Sequence, residues 1–122
     1  MKPLGDVSFQ KAELEDVIAQ ARSAPDGYAA EVLRSDLLSV GLYLLPAGGT
    51  DHQEPHAEDE VYYTVRGRAS FRVGVDEHAV EPGTLLFVPA GAAHFFHDIA
   101  EELILVVFWA PPEGSVETDR PA

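Results

Sequence analysis

The feature that most limits the fold of this chain is a series of short apolar runs after Gly27, most of them ended by Gly, Pro or Asp. Runs rich in Val, Leu, Tyr and Phe at such even spacing are typical of strands in a β-sandwich or β-barrel. Seven strands are predicted, at Tyr28–Ser35, Leu37–Leu45, Glu60–Arg66, Ala69–Val75, Leu85–Val88, Ala93–His97 and Leu103–Trp109. No second helical stretch is present to build βαβ units, so the sequence predicts an all-β domain.

The segment before Gly27 carries the one helical pattern. Residues 8–23 place apolar side chains at helical spacing, at Leu14, Val17, Ile18 and Ala21. Ser8 is the predicted N-cap, and Pro25-Asp26-Gly27 ends the helix. We therefore predict a helical extension over 1–27 packed on the barrel, a β-barrel over 28–110, and a flexible tail over 111–122.

Composition removes several classes of function. The 122 residues carry 8 Lys and Arg against 21 Asp and Glu, a net charge of −13. Such a chain is not expected to bind nucleic acid or an anionic membrane. It has no cysteine, which excludes disulfides and thiolate metal sites, whereas five histidines leave a nitrogen-and-oxygen metal site open. With no signal core and no membrane-spanning run, a cytoplasmic location is expected.

An acidic segment with two histidines offers metal-ligand chemistry. Residues 51–60 hold His52, His56 and five acids, with no Lys or Arg. In an extended chain, alternate side chains share a face, so Glu54, His56 and Glu60 point together, and His52 has the same parity. Imidazole and carboxylate donors suit Fe, Mn, Ni, Co or Zn. The segment could equally be a solvated acidic loop.

A second segment, over residues 83–94, ends in His94 beside apolar strands. Gly83 and Gly91 permit tight turns, and Pro89 fixes a bend between them. Taken alone, His94 could be a hydrogen-bonded histidine of the core, because a buried neutral imidazole is stable when both nitrogens have partners.

Together the two segments resemble the paired motifs of the cupin superfamily. His56-x3-Glu60-x6-Gly67 matches the second half of the first motif. Gly83-x5-Pro89-x-Gly91-x2-His94-x3-Asp98 matches the second motif at every position but the last, where Asp replaces Asn. The resemblance covers about residues 40–110. It implies a small double-stranded antiparallel β-barrel of the jelly-roll (RmlC-like) type that binds one divalent metal.

Carried over by position, the resemblance makes His56, Glu60 and His94 metal ligands. The fourth position, usually the first histidine of an H-x-H pair, is Glu54 here. With Glu54 bound, two carboxylates and two neutral imidazoles would make a divalent site neutral, a weaker Lewis acid that favours Mn or Fe over Cu. Two alternatives stay open: His52 reaches the metal instead, or His56, Glu60 and His94 form a facial set with open positions.

Strand alternation also predicts which way other side chains point. Tyr62 and Phe96 are expected to line the ligand pocket, whereas His97 and His78 are expected at the surface. Asp98 could hydrogen-bond a ligand histidine or be a turn residue. The run Leu103–Trp109 is apolar at every position, so burial on both faces and a homodimer are expected.

The resemblance implies a family of many activities, so the fold does not name a reaction. A metal-dependent small-molecule enzyme is expected, dioxygenase-like or isomerase-like, with Fe, Mn, Zn or Ni polarising a chelated substrate and Glu54 accepting a proton. The alternatives are a non-catalytic module that binds or senses a small ligand, and a metal-free cupin kept for its fold or for dimerisation.

Overall fold

The computed structural model describes residues 8–51 and 55–115, with only the backbone of Ala30. One helix precedes six strands along the chain. In order, these are α1 (Leu14–Ser23), β1 (Tyr28–Arg34), β2 (Ser39–Leu45), β3 (Asp59–Val73), β4 (Asp76–Val80), β5 (Leu85–Val88) and β6 (His94–Ala110). The strands pair antiparallel in the order β1-β2-β6-β3-β4, and β5 pairs with β3 beside β4.

Two long, bent strands form the barrel. The first half of β3 pairs with the second half of β6, and the second half of β3 pairs with the first half of β6. Tyr62 and Phe71 are nine residues apart on β3, about 30 Å if the strand were straight. Their ring centroids are nevertheless 6.1 Å apart, so β3 bends sharply and its two halves enclose one core. This is the double-stranded antiparallel barrel expected from the sequence.

Gly67 lies at the bend of β3. Its φ is +97°, and the β3–β6 register shifts on both sides of it. A Cβ at this position would lie 2.3 Å from the Glu102 carbonyl oxygen, so only glycine allows the two strands to approach so closely. The gap between the predicted strands Glu60–Arg66 and Ala69–Val75 is therefore a bend inside one strand. For the same topological reason, Ala93–His97 and Leu103–Trp109 belong to the single strand β6.

The strand prediction was wrong over Asp76–Val80, which lies in none of the seven predicted strands. Residues 76–80 form β4, whose side chains are exposed except for Val80. The segment has no apolar alternation to signal a strand, and it is extended because it pairs with residues 69–73 of β3. The turn lies earlier, at Gly74 and Val75.

The helix was also predicted too long. It begins at Leu14 with Glu13 as N-cap, and Ser8 caps nothing. Gln10 instead uses its side-chain amide to bond both the N–H and the carbonyl of Arg34, at 2.8 and 2.5 Å. β1 is at the end of the strand order, and Gln10 takes the place of a neighbouring strand beside its last residue. The same contact holds the residues before α1 in a non-helical conformation.

α1 packs on the outside of the sheet. Val17, Ile18 and Ala21 are buried against Leu42, Leu44 and Ile104. Arg22 adds a two-pronged ion pair with Glu102 of β6, at 2.6 and 3.1 Å. The apolar run of β6 is thus covered on its inner face by the barrel core and on part of its outer face by α1. No helix among the described residues has the length and apolar character needed to cross a bilayer.

Candidate functional site

The candidate site begins with the inward-facing side chains of β3. Strand alternation turns Glu60, Tyr62 and Thr64 inward and buries all three. Glu60 lies directly opposite Trp109 of β6, and Tyr62 lies opposite Val107. A carboxylate in such surroundings requires charged or hydrogen-bonding partners, because an isolated buried charge is strongly destabilising.

Glu60 has two such partners inside the barrel. One carboxylate oxygen lies 3.2 Å from His94 Nε2, and the other accepts a hydrogen bond from the Tyr62 hydroxyl at 3.0 Å. The same hydroxyl lies 3.1 Å from His94 Nε2. Two residues predicted as ligands and one predicted to line the pocket therefore form one buried cluster.

A hydrogen bond of the second ring nitrogen fixes the orientation of His94. Nδ1 donates to the Ala92 carbonyl at 2.8 Å, so a neutral imidazole presents the lone pair of Nε2 to Glu60. Burial lowers the pKa of His94, but the hydrogen bonds to Glu60 and Ala92, with the charges of Glu60 and Asp51, outweigh it and raise the pKa. Two acceptors facing each other at 3.2 Å require a positive charge, either a proton or a metal cation.

His56 approaches the cluster from the loop before β3. Its Nε2 lies 3.9 Å from the Glu60 oxygen that accepts the Tyr62 hydroxyl, and its ring centroid lies 6.2 Å from that of His94. Unlike Glu60 and His94, it is only partly buried. His56 therefore lies beside the Glu60–His94 pair, on the side of the cluster that reaches solvent.

Glu58 is a functional candidate that the sequence analysis did not single out. It is buried, and one of its oxygens lies 4.0 Å from His56 Nδ1. The other accepts a hydrogen bond from the Gly114 N–H, which ties it to the segment after β6. Its parity, shared with His56 and Glu60, was the signal available in the sequence.

The segment after β6 contributes a second contact near the site. Tyr28 donates a 2.5 Å hydrogen bond to Glu113, whose N–H donates to the Ser39 hydroxyl. Burial raises the pKa of Glu113, although Tyr28 and the nearby His56 act in the opposite direction. Residues 113 and 114 are thus held against the barrel beside His56 and Glu58. Glu113 lies in the predicted tail and had no signal in the sequence.

Asp51 anchors the chain just before the residues predicted as the first ligands. It is buried, accepts the Phe96 N–H at 2.9 Å, and accepts the Tyr43 hydroxyl at 3.1 Å. Glu54, predicted as metal ligand and proton acceptor, and its alternative His52 lie outside the described residues.

The donor types fit a divalent ion of the Fe, Mn, Ni or Zn class, because two imidazoles and a carboxylate lie near one another in a chain without thiolates. Over residues 8–51 and 55–115, however, no group of three or more His, Asp or Glu side chains is arranged to hold a metal ion. The described part of the chain thus supplies a Glu60–His94 pair with His56 alongside, and the fourth predicted donor lies beyond it.

Phe96, His78 and His97 lie on the faces that strand parity predicted. Phe96 is buried against Tyr62 and Phe71, with ring centroids 5.1 and 4.6 Å away. His78 is exposed on β4. His97 faces outward and pairs with Glu77 at 2.7 Å. Asp98 is exposed within β6, has a φ of +48°, and its carboxylate contacts His97.

A surface cleft of about 660 Å³ lies between residues 48–51 and residues 95–100. It shares Asp51 and Phe96 with the surroundings of the cluster, but Glu60 and His94 do not line it. This cleft therefore does not expose the predicted ligands.

Comparison with known proteins agrees with the fold and the motifs. Residues 41–111 match the family model of the cupin domain. The uncharacterised protein SCO3923 of Streptomyces coelicolor is 48% identical over 104 residues, which cover 85% of this chain and 99% of that protein. The crystal structure of TT1209 from Thermus thermophilus superposes with a TM-score of 0.67 at 31% identity, covering 85% and 99% of the two chains.

A more distant relative carries a named activity. The acireductone dioxygenase of Parasynechococcus marenigrum is 34% identical over 79 residues, which is 62% of this chain. The match spans 36% of the enzyme, so this chain corresponds to about a third of its length.

Proposed function

Because this chain belongs to the cupin family, we propose that it binds one divalent metal inside its barrel and acts there on a small oxygen-bearing molecule. The observation that carries the proposal is the buried Glu60–His94 pair, whose oxygen and nitrogen face each other 3.2 Å apart and are both donor atoms suited to a divalent ion. A resident metal satisfies both lone pairs at once.

Within this proposal, His56, Glu60 and His94 hold the metal, and Glu54 is the fourth ligand. Fe, Mn, Zn and Ni all suit this donor set. When bound, such a metal supplies Lewis acidity toward an oxygen of a chelating substrate. Two carboxylate ligands would neutralise a divalent ion, so the metal would be a weaker Lewis acid toward that substrate than one held by a single carboxylate.

The side chains around the ligands have separate tasks. The Ala92 carbonyl fixes His94 so that only Nε2 can face the metal. Tyr62 donates to Glu60, which holds the carboxylate in one orientation and leaves a hydroxyl next to the reacting centre. Tyr62 and Phe96 also exclude water from the inner wall. Glu54, if released from the metal, is the proposed proton acceptor.

The proposed reaction class is dioxygenase-like or isomerase-like. The similarity to part of an acireductone dioxygenase supports the first. In both classes the substrate would present adjacent oxygens, as in a diketone or a catechol. The side of the cluster nearest His56 is the proposed entrance, because His56 is the predicted ligand with the most surface open to solvent among those described.

One observation favours the non-catalytic alternative. Glu60, Tyr62 and His94 are almost completely buried, so a substrate has little room beside them without movement of the loop before β3. A closed interior of this kind suits tight binding of a small ligand or a purely structural metal. A cytoplasmic location remains a prediction from the sequence.

Metal analysis of the purified chain tests the ligand assignment. We expect about one transition metal per chain in the wild type and none in His94→Ala, because the variant lacks one of the proposed ligands. His78→Ala is the matched control, since His78 is an exposed histidine of β4, and it should keep full occupancy. Full occupancy in His94→Ala would overturn the assignment.

Dioxygen uptake then separates the two functions. The Fe-loaded wild type is expected to consume dioxygen in the presence of a diketone or catechol from a small panel, and Tyr62→Phe to do so more slowly. Isomerase activity is followed by NMR on the Mn-loaded protein. Tight ligand binding without turnover in either assay would establish the binding module instead.

A further inference from the structure

The outer surface of the sheet carries an uncharged apolar patch that the proposed reaction does not use. Strand alternation turns six side chains outward on three adjacent strands, namely Val61 and Tyr63 of β3, Leu85 and Phe87 of β5, and Val106 and Phe108 of β6. We refer to these six residues as the outer apolar face.

The register makes this face continuous. Val61 lies opposite both Phe87 and Phe108, and Tyr63 lies opposite both Leu85 and Val106. Cross-strand neighbours on one face are in contact distance, so the six side chains form two parallel rows of three. The largest exposed fractions are 67% for Leu85, 64% for Phe87, 42% for Tyr63 and 39% for Phe108.

α1 covers the neighbouring part of the same outer surface. The helix covers the adjoining outward residues Leu42 and Ile104 and reaches Val106, where its apolar contacts end. The outer apolar face begins at that boundary and continues to β5, which pairs with β3 alone among the described strands. A short edge strand with bulky apolar side chains is a surface that proteins normally cover.

We propose that two copies of this chain associate through the outer apolar face, with β5 and the first half of β3 at the contact. The exposed parts of the four large side chains amount to about 400 Å² per copy, since an aromatic side chain has about 150–250 Å². That is about half of the roughly 800 Å² per partner in a specific interface, where a polar rim supplies the rest.

Charge selects a second copy as the occupant. With a net charge of −13, two copies repel each other wherever carboxylates meet, and none of the six positions carries a charge. A two-fold axis through the face places apolar rows on apolar rows and needs only one surface. A basic partner protein, by contrast, would be attracted to the acidic surface outside this face.

The mass of the full chain in solution tests the proposal. Light scattering and sedimentation are expected to give twice the chain mass of 13.2 kDa for the wild type at micromolar concentration. Phe87→Glu and Leu85→Glu each place a charge inside the contact, so each should raise the dissociation constant by about 100-fold or more. Circular dichroism should show both variants folded, because the replaced side chains are mostly exposed.

Val75→Glu is the matched control. Val75 is 84% exposed but lies in the β3–β4 turn, beyond the bend of β3, so this variant should keep the wild-type mass. A monomeric wild type would overturn the proposal, and so would a dimer that survives both face variants or that Val75→Glu disrupts equally. Metal content should be unchanged in all three variants, which separates this result from that of the metal assignment.

Discussion

Tyr62 joins the core and the candidate site in a single side chain. Its ring packs on Phe71 and Phe96, and its hydroxyl lies between the carboxylate of Glu60 and the imidazole of His94. A phenol can do both because its body is apolar and its tip is a hydrogen-bond donor. Parity predicted the inward orientation, but not which polar groups the hydroxyl would meet.

We predict that Tyr62→Phe lowers the free energy of unfolding of the metal-free protein by about 1–3 kcal/mol. The variant keeps the ring but removes the donor, and it leaves the buried acceptors of Glu60 and His94 short of a proton. Urea unfolding after chelator treatment measures the effect. Tyr63→Phe, on the outward side of the same strand, should change stability by no more than about 0.5 kcal/mol, and equal losses would contradict the prediction.

His97 gives a pH-dependent prediction at the surface. The hydrogen bond to Glu77 is the main cause of its raised pKa, and the contact with Asp98 adds less. A raised pKa in the folded state stabilises the protein fully below the unfolded value of 6.5, and this contribution disappears as the pH rises through the folded value. We therefore expect Glu77→Gln to cost more stability at about pH 5.5 than at about pH 8.

NMR titration of the His97 ring measures its pKa directly. Glu77→Gln should lower the His97 pKa more than Asp98→Asn does. Glu77 also lies 3.8 Å from Arg72, so its loss adds an offset that does not vary over this pH range. A stability difference that is the same at both pH values would show that only the arginine contact matters.

At the scale of elements, the bend of β3 decides the architecture. Because β3 and β6 each bend, four half-strands enclose one core, and Glu60 on one half of the pair comes to face His94 on the other. The close approach of Gly67 to the Glu102 carbonyl lies where the register shifts. The position of Glu60 relative to His94 therefore depends on the backbone bend at Gly67.

Gly67→Ala is expected to destabilise the barrel by at least about 3 kcal/mol, because a positive φ and a backbone clash act together. Gly74→Ala is the matched control: it also has a positive φ, +60°, but no atom lies within 4 Å of the added Cβ. It should cost about 1–2 kcal/mol, the strain of the left-handed backbone alone. Thermal unfolding of both variants tests whether the clash matters.

At the scale of the whole molecule, the excess of acid shapes both stability and assembly. All three arginines of β3 pair with carboxylates: Arg66 with Glu15, Arg68 with Glu81 and Arg72 with Glu77. The remaining acids repel one another across the surface, whereas α1 and, as proposed, a second copy cover adjoining parts of the outer surface of the sheet.

Raising the concentration of sodium chloride from about 10 to about 300 mM should raise the melting temperature, because salt screens this repulsion. A gain of about 1 kcal/mol corresponds to roughly 4 °C for a domain of this size. Differential scanning calorimetry of the metal-free monomeric Phe87→Glu variant removes the effects of metal and of association. A melting temperature that falls with salt would mean that local ion pairs outweigh the overall repulsion.

The sequence alone determined the fold class and the inward set of side chains. Alternation over Glu60–Arg66 separates buried Glu60 and Tyr62 from outward Val61 and Tyr63, and a period of two is a local property that the residues themselves carry. The resemblance of the two histidine motifs to those of cupins implied that His56, Glu60 and His94 come together, and the structure brings Glu60 and His94 into contact with His56 alongside.

Only the tertiary structure decided how these faces meet. β4 is a strand because it pairs with β3. α1 begins at Leu14, later than predicted, because Gln10 bonds to the end of β1. The carboxylate of Glu58 accepts a hydrogen bond from the Gly114 N–H. Each of these contacts depends on how separate segments of the chain meet in space, so no local pattern encodes them. The 3.2 Å separation of Glu60 and His94 has the same origin, because the bends in β3 and β6 set it.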